Sequence, residues 1–558
     1  MSKMEMSRRQ LLQGIAAVGG TTAVMGGTGI LATACSSAPA STSASGSPPL
    51  TIQTATFGGE SFIPIIGSSQ FAAQTLTMMY ETPLQVNESG QSIPGIVTSW
   101  TPSKDGTSWT LKMRDDVLFH DGTKATSEDL AFAYELAASS QAEDQGDFLP
   151  VLGKTPKIDI IDPTTIVVHT QGVQPELIAL SNLFEAGCWV LPKAYYQKHG
   201  ADYFSTHPIG TGPYKFVSHS HGQSVVFEKV PYKHWRAKPV FSPVTVKLIP
   251  EEATAVAALQ SGSVDAVSVG PQNSVLLSKQ GYQTGSSVQN EIAFIVIGPW
   301  QPQMKGMPLA DVRVRQAMSY AVDRKQLAET VVAGKYTPSS AFRINKPMPD
   351  WTDELESKWN TWAETNLTYD PAKAKQLLSE AGFANGFSFD LLSIQDTPSA
   401  PFLPQLSQAI ASYWQKIGIT ANIKPITDAV YVQLGNPSQS QSGVGKVIVV
   451  ASGDAKPSAL SNLISNTSPD GVFDLMYGSP DAEEYAKVAA QAAQALTPAA
   501  EQPLLDQVVT IFSNQWVGIP LFNSGSYYAV SKRVKPYVPA STVGLGNNVA
   551  DWQYTGQS

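Results

Sequence analysis

The chain has 558 residues, 42% of them hydrophobic, which is too much apolar material for one core and enough for two or more. Its formal charge of −9 comes from 37 basic and 46 acidic side chains spread without long like-charge blocks, a pattern that argues against a nucleic-acid partner. With only Cys35 and Cys188 present, a four-cysteine metal site is excluded.

The first 34 residues read as an export signal rather than as fold. SRRQLL (7–12) fits the twin-arginine pattern, a mildly apolar run follows to Ile30, and LATAC (31–35) has the form of a lipobox. This predicts cleavage before Cys35 and a lipid on that cysteine. Six glycines between Gly14 and Gly29 make the run poor material for a membrane-spanning helix. With Cys35 acylated, Cys188 has no disulfide partner and is expected to be a buried core thiol. Residues 35–49 hold the lipidated cysteine and a tether, SSAPASTSASGSPP, which has no large apolar side chain with which to offset chain entropy.

The folded part is expected to begin with a strand at Leu50, ended by Gly58-Gly59. WTLKMR (109–114) alternates as a half-buried strand, and Asp121-Gly122 is a turn signal. A helix then starts at the N-cap candidate Thr126, with Glu128 and Asp129 in its first turn and Leu130, Ala133, Tyr134 and Ala137 on one face. His120 beside Asp121 reads as a hydrogen-bonded turn, because a His–Asp pair with no nucleophile or third ligand makes no site. TIVVH (165–169) is a short strand. In PIGTGPYKF (208–216), Pro208 and Pro213 fix φ, while Gly210 and Gly212 permit either positive φ or close backbone approach. A strand opens at Tyr214; Val244, Val246 and Leu248 alternate as another, and residues 251–261 read as a helix stopped by Gly262.

A shift towards Ser, Gln and Gly over residues 271–289 marks the approach to a second lobe near Ile292. The pattern over 311–324 predicts one helix with Val314, Ala317, Met318, Ala321 and Val322 as its stripe. The next helix has Asp370 as N-cap, Pro371 at N1 and Gly382 at C′. Residues 410–416 read as helix and 419–425 as strand, so this lobe is α/β. Residues 431–445 look like a loop, and the continuous apolar run at 446–451 looks like a strand covered on both faces. Helices at 481–496 and 504–513 and a strand at 519–523 complete the pattern.

Catalytic chemistry finds little support. All seven histidines lie between His120 and His234, and His219-Ser-His221 has no carboxylate or third ligand nearby in the sequence. Neither G-x-S-x-G nor H-E-x-x-H occurs, and the phosphate-loop lookalike GVGK (443–446) has Ser440 in place of the leading glycine and Val447 in place of Ser/Thr. No catalytic residue, cofactor or metal site is therefore expected, and carboxylate-pair catalysis is the enzymatic alternative that 46 acidic residues leave open.

Several ordered phrases, MYETPL (79–84), IPGIVTSW (93–100), VLFHDG (117–122), PIGTGPYKF, VPYKHWRAKP (230–239) and the 311–324 helix, resemble the extracytoplasmic solute-binding proteins of ABC importers, family 5, the peptide-binding group. The resemblance spans about residues 51–554. It implies an α/β, two-lobed fold of the periplasmic-binding-protein type II kind, with an extra subdomain in the first lobe. The expected first lobe is 50–291, including the subdomain at about 85–185; the second is 292–518, and 519–558 returns to the first. The implied function is capture of a small solute between closing lobes and delivery to a permease with its ATPase, from a lipid-anchored position outside the cytoplasmic membrane. Peptides are the commonest cargo of the family. A non-peptide solute (sugar, opine, metal complex) and a transporter-independent sensory or adhesion lipoprotein are the alternatives.

The resemblance also points to Ser452-Gly453-Asp454. In peptide-binding relatives this segment reads Trp-x-x-Asp-Tyr followed by Pro, and its aspartate pairs with the peptide's α-ammonium. Asp454 and Pro457 match, whereas Ala451 and Ala455 replace the two aromatic residues. Read without the resemblance, Gly453-Asp454 is a turn after a strand.

Overall fold

The computed structural model describes residues 46–557, apart from short internal stretches at 58–59, 65–72, 88–90, 143–144, 183–186, 345–347, 396, 398–399, 428–429, 432–433, 435, 439, 453–457, 469–472 and 538–547. The strands of its two larger sheets are β1 (Leu50–Thr54), β2 (Val97–Pro102), β3 (Ser108–Met113), β4 (Ile158–Asp162), β5 (Thr165–His169), β6 (Tyr214–Ser220) and β7 (Ser224–Lys229). They continue with β8 (Val244–Leu248), β9 (Ala266–Val269), β10 (Gln283–Val296), β11 (Phe387–Ile394), β12 (Ile419–Ile426), β13 (Val447–Ser452) and β14 (Gly518–Val530). A ten-stranded sheet runs in the order β12-β11-β13-β10-β14-β9-β1-β8-β7-β6, and β2-β3-β5-β4 form a separate antiparallel sheet.

Two long antiparallel strands, β10 and β14, carry the main sheet from one lobe to the other. Residues 283–287 of β10 pair with 526–530 of β14, which also pairs with β9. Residues 291–296 of β10 lie between β13 and the start of β14. The two lobes have separate apolar cores. One, drawn from Ile292 to Phe522, includes Val447–Val450 of β13, each at most 1% exposed. The other joins Leu50, Ile52, Val244 and Val246 to Val530 and Trp552 near the end of the chain. A further core, from Leu84 to Val190, fills the region around the four-stranded sheet and encloses Cys188. That thiol is fully buried, and burial pushes its pKa well up.

The PIGTGPYKF turn lies against the end of the helix Ala73–Met79. A Cβ on Gly210 would fall 2.1 Å from the Met79 carbonyl oxygen, and one on Gly212 would fall 2.4 Å from that of Met78. Close approach is therefore the use made of both glycines. His120 is wedged into the same turn: Gly210 N–H donates to its Nδ1 at 3.3 Å, and its Nε2 donates to the Gly212 carbonyl at 3.0 Å.

The structure divides the helix expected over 311–324. Val312–Tyr320 ends at Ala321, and a second helix, Arg324–Val331, starts from the Asp323 cap. The break is held by Arg324, whose guanidinium donates to the carbonyls of Ser319 (3.2 Å), Leu367 (2.9 Å) and Pro520 (3.0 Å). The polar stretch 271–289 is regular secondary structure. It forms the helix Pro271–Lys279, N-capped at Gly270, and then enters the first half of β10, where backbone bonds to β14 hold residues 283–289 despite their few apolar side chains.

Candidate ligand site at the lobe junction

At the middle of the crossing strands the apolar pattern is interrupted. Asn290 and Glu291 on β10 face Ser524 and Asn523 on β14 in register, and all four are at most 6% exposed. The register slips on both sides of this pair, between Ser287 and Gln289 and between Ile292 and Ala293. Such irregularities raise local twist and bend a strand, and here they bracket the place where the two lobes meet. Glu291 also pairs with Ser452, so Ser452, Glu291 and Asn523 form one row across β13, β10 and β14.

Buried polar groups require partners, and the segment 335–343 supplies most of them. The Glu291 carboxylate accepts from Ser339 Oγ at 3.0 Å and from the Arg343 backbone N–H at 2.6 Å. Asn523 exchanges backbone hydrogen bonds with Thr337 at 2.8 and 3.0 Å, and its Nδ2 donates to the Pro338 carbonyl at 3.1 Å. Tyr527 donates to the Lys335 carbonyl at 2.6 Å. Arg343 is 4% exposed and has φ of 62°, in the left-handed region that a side chain rarely adopts. Its carbonyl accepts from Asn462 at 2.7 Å. Arg343 Nε and Asn523 Oδ1 are buried and have no hydrogen-bond partner among the described residues.

Of the residues singled out in the sequence, Gly453 and Asp454 lie outside the described residues, and Ser452 is placed by its backbone alone as the last residue of β13. The surroundings of that segment are defined at both ends. Before it, Ser452 stands opposite Glu291. After it, the helix Ala459–Thr467 begins, and Asp350 accepts from the backbone N–H groups of Ala459 (2.7 Å) and Leu460 (3.0 Å). Burial raises the Asp350 pKa, while those two N–H bonds act in the opposite sense. Sequence reasoning missed Glu291, Arg343 and Asn523. The only signal available was Glu291 and Asn523 interrupting apolar strands, and the register that pairs them joins distant parts of the sequence.

One expectation is corrected. His219-Ser-His221 does have a carboxylate beside it: Glu60 Oε2 lies 2.6 Å from His219 Nε2 and 2.9 Å from His221 Nδ1. The partner was invisible because it comes from 159 residues upstream.

Two lobes bridged by paired strands, with buried polar groups at the crossing, define the class of two-lobed binding proteins that hold a solute between lobes. The chain belongs to the bacterial extracellular solute-binding proteins, family 5, matching that family over residues 91–483. It is thus a substrate-binding component of the ABC-importer type. Among similar proteins are the dipeptide-binding protein of Escherichia coli K12, 24% identical with 80% of this chain and 83% of that protein covered, and heme-binding protein A of Haemophilus influenzae, 25% identical with 80% and 81% covered. Among solved structures, NikA from Brucella suis in complex with Fe(III)-EDTA superposes with a TM-score of 0.75 at 19% identity, covering 91% of this chain and 100% of that one. The DppA protein from Helicobacter pylori in complex with the peptide STSA gives 0.70 at 18% identity, covering 91% and 98%. No helix among the described residues is long and apolar enough to cross a membrane.

Proposed function

We propose that this protein binds a peptide or peptide-like solute at the lobe junction and presents it to a permease while held at the outer face of the membrane by lipid on Cys35. The observation that carries the reading is the buried polar row at the crossing of β10 and β14. Arg343, whose backbone N–H binds Glu291, has a buried Nε with no hydrogen-bond partner among the described residues, and the backbone of Ser452 stands in the same row. In this proposal Asp454, with Ser452 and Gly453, receives the ammonium of the solute, and Arg343 faces a carboxylate. Both contacts are charge-assisted hydrogen bonds. The dipeptide-binding relative supports a peptide-like cargo. Ala451 and Ala455, where peptide binders carry aromatic residues, favour as the second reading a solute of different shape, such as an opine or a chelated metal. The protein acts by binding and closure, without catalysis.

Two measurements test this. Mass spectrometry of the solute that co-purifies with the folded protein identifies the cargo, and calorimetry with that solute compares wild type with Asp454→Ala. Loss of roughly 2–5 kcal/mol is expected for breaking a buried charge pair; equal affinity removes Asp454 from the site. For the membrane link, Cys35→Ala protein should appear in the soluble extracytoplasmic fraction. Its retention on salt-washed membranes would refute the lipid.

A further inference from the structure

The cluster Glu60, His219 and His221 lies away from the lobe junction. His219 is near the end of β6, the outermost strand of the main sheet, and four strands separate β6 from β14. We propose that these three side chains form a binding site for a late first-row divalent cation, of which zinc is the test case.

Two imidazoles and a carboxylate are a donor set suited to Zn²⁺, Ni²⁺, Co²⁺ or Cu²⁺, and imidazole disfavours Mg²⁺ and Ca²⁺. One ligand atom from each residue lies within 4.8 Å of the others. A cation about 2.0–2.2 Å from each atom in tetrahedral geometry would set neighbouring ligands roughly 3.4 Å apart. The present 2.6 and 2.9 Å separations therefore need to open by less than about 1 Å, within side-chain torsion.

The surroundings hold two of the ligands in place. Gly222 N–H donates to both oxygens of Glu60 at 3.2 Å, orienting the carboxylate from behind. Glu60 has φ of 51°, a left-handed backbone that delivers its side chain to the β6–β7 turn. The His219 ring is set edge-on against Phe62 at 5.0 Å and Phe57 at 6.4 Å. His219 and Glu60 are 20% and 16% exposed, whereas the His221 side chain is 86% exposed. The site thus has two seated ligands and one exposed ligand on its solvent side, where water can complete the coordination. A simple ion pair would need only Glu60 and His219. It gives no reason for a second imidazole to bring its nitrogen to the same carboxylate oxygen.

A bound cation would link the segment after β1 to the end of the β6–β7 hairpin, joining two parts of the first lobe distant in sequence. The test uses chelator-treated full-length protein, dialysed against buffered Zn²⁺ with metal counted by mass spectrometry. One zinc per chain is expected, and both His221→Ala and Glu60→Gln should weaken binding by more than about tenfold. Because His221 is solvent-exposed, His221→Ala should melt like wild type in the absence of metal, which separates ligand loss from misfolding. Cobalt(II) should give visible d–d absorption in wild type and lose it in His221→Ala. The proposal is overturned if wild type binds no zinc above background, or if both variants bind it as tightly as wild type.

Discussion

His120 shows how a residue that invites a catalytic interpretation can be committed to structure. Its Nδ1 accepts from Gly210 N–H while its Nε2 donates to Gly212, an arrangement that only the neutral ring can make. Burial drives its pKa down to about 4, against an ordinary value of 6.5. The folded protein therefore binds fewer protons than the unfolded chain between those values. The associated stability is complete above pH 6.5 and is lost as pH falls towards 4. His234 is shifted in the same direction by burial, with its Nε2 on the Thr211 carbonyl at 2.9 Å. Urea unfolding at pH 7.5 and pH 5 should show His120 costing wild type about 2 kcal/mol on acidification, and His120→Gln should lose correspondingly less. Equal losses in the two proteins would mean that His120 is not held neutral. Arg236 is another structural commitment: it joins Glu81 to Asp551 at 3.0 Å each, tying residues near the end of the chain to the first lobe.

Elements with strong local signals were legible in the sequence, and those stabilised by distant partners were not. The helix Pro371–Glu380 carries its own instructions: Asp370 accepts from Lys373 N–H at 2.8 Å, Pro371 is at N1, and Gly382 has φ of 87°. The apolar run of β13 and the alternation of β3 were equally readable, since burial of both faces or of one face is written in the residue pattern. The interruption after Tyr320 was hidden because Ala321 and Val322 continue the apolar stripe. It is stabilised by Arg324 contacts to Leu367 and Pro520. β14 extends to Val530, well past the expected 519–523, because β10 and β9 offer it backbone partners along that length. For the candidate site, the resemblance singled out Ser452, Gly453 and Asp454, of which the described residues include only the backbone of Ser452, opposite Glu291. Glu291, Asn523 and Arg343 acquire a common location when β10, β13 and β14 come together, which local periodicity does not encode. The same holds for Glu60 beside His219.

At the scale of the whole molecule, the arrangement is suited to movement about β10 and β14. These strands are continuous through both lobes, the apolar cores stop on either side of Asn290–Glu291, and the register slips flank that point. Bending there changes the distance between lobes without exposing either core. A solute that touches both lobes favours the closed arrangement by the difference between its affinities for closed and open forms. Adding the co-purified solute to stripped protein should therefore reduce the radius of gyration measured by X-ray scattering. It should also raise the melting temperature, since a hundredfold excess over Kd adds about 2.7 kcal/mol to a folded state that alone binds the solute. The two readouts separate binding from closure, because stabilisation requires only binding whereas contraction requires the lobes to move. A raised melting temperature at confirmed saturation with an unchanged radius would leave the solute bound and rule out closure as the way this protein signals its loaded state.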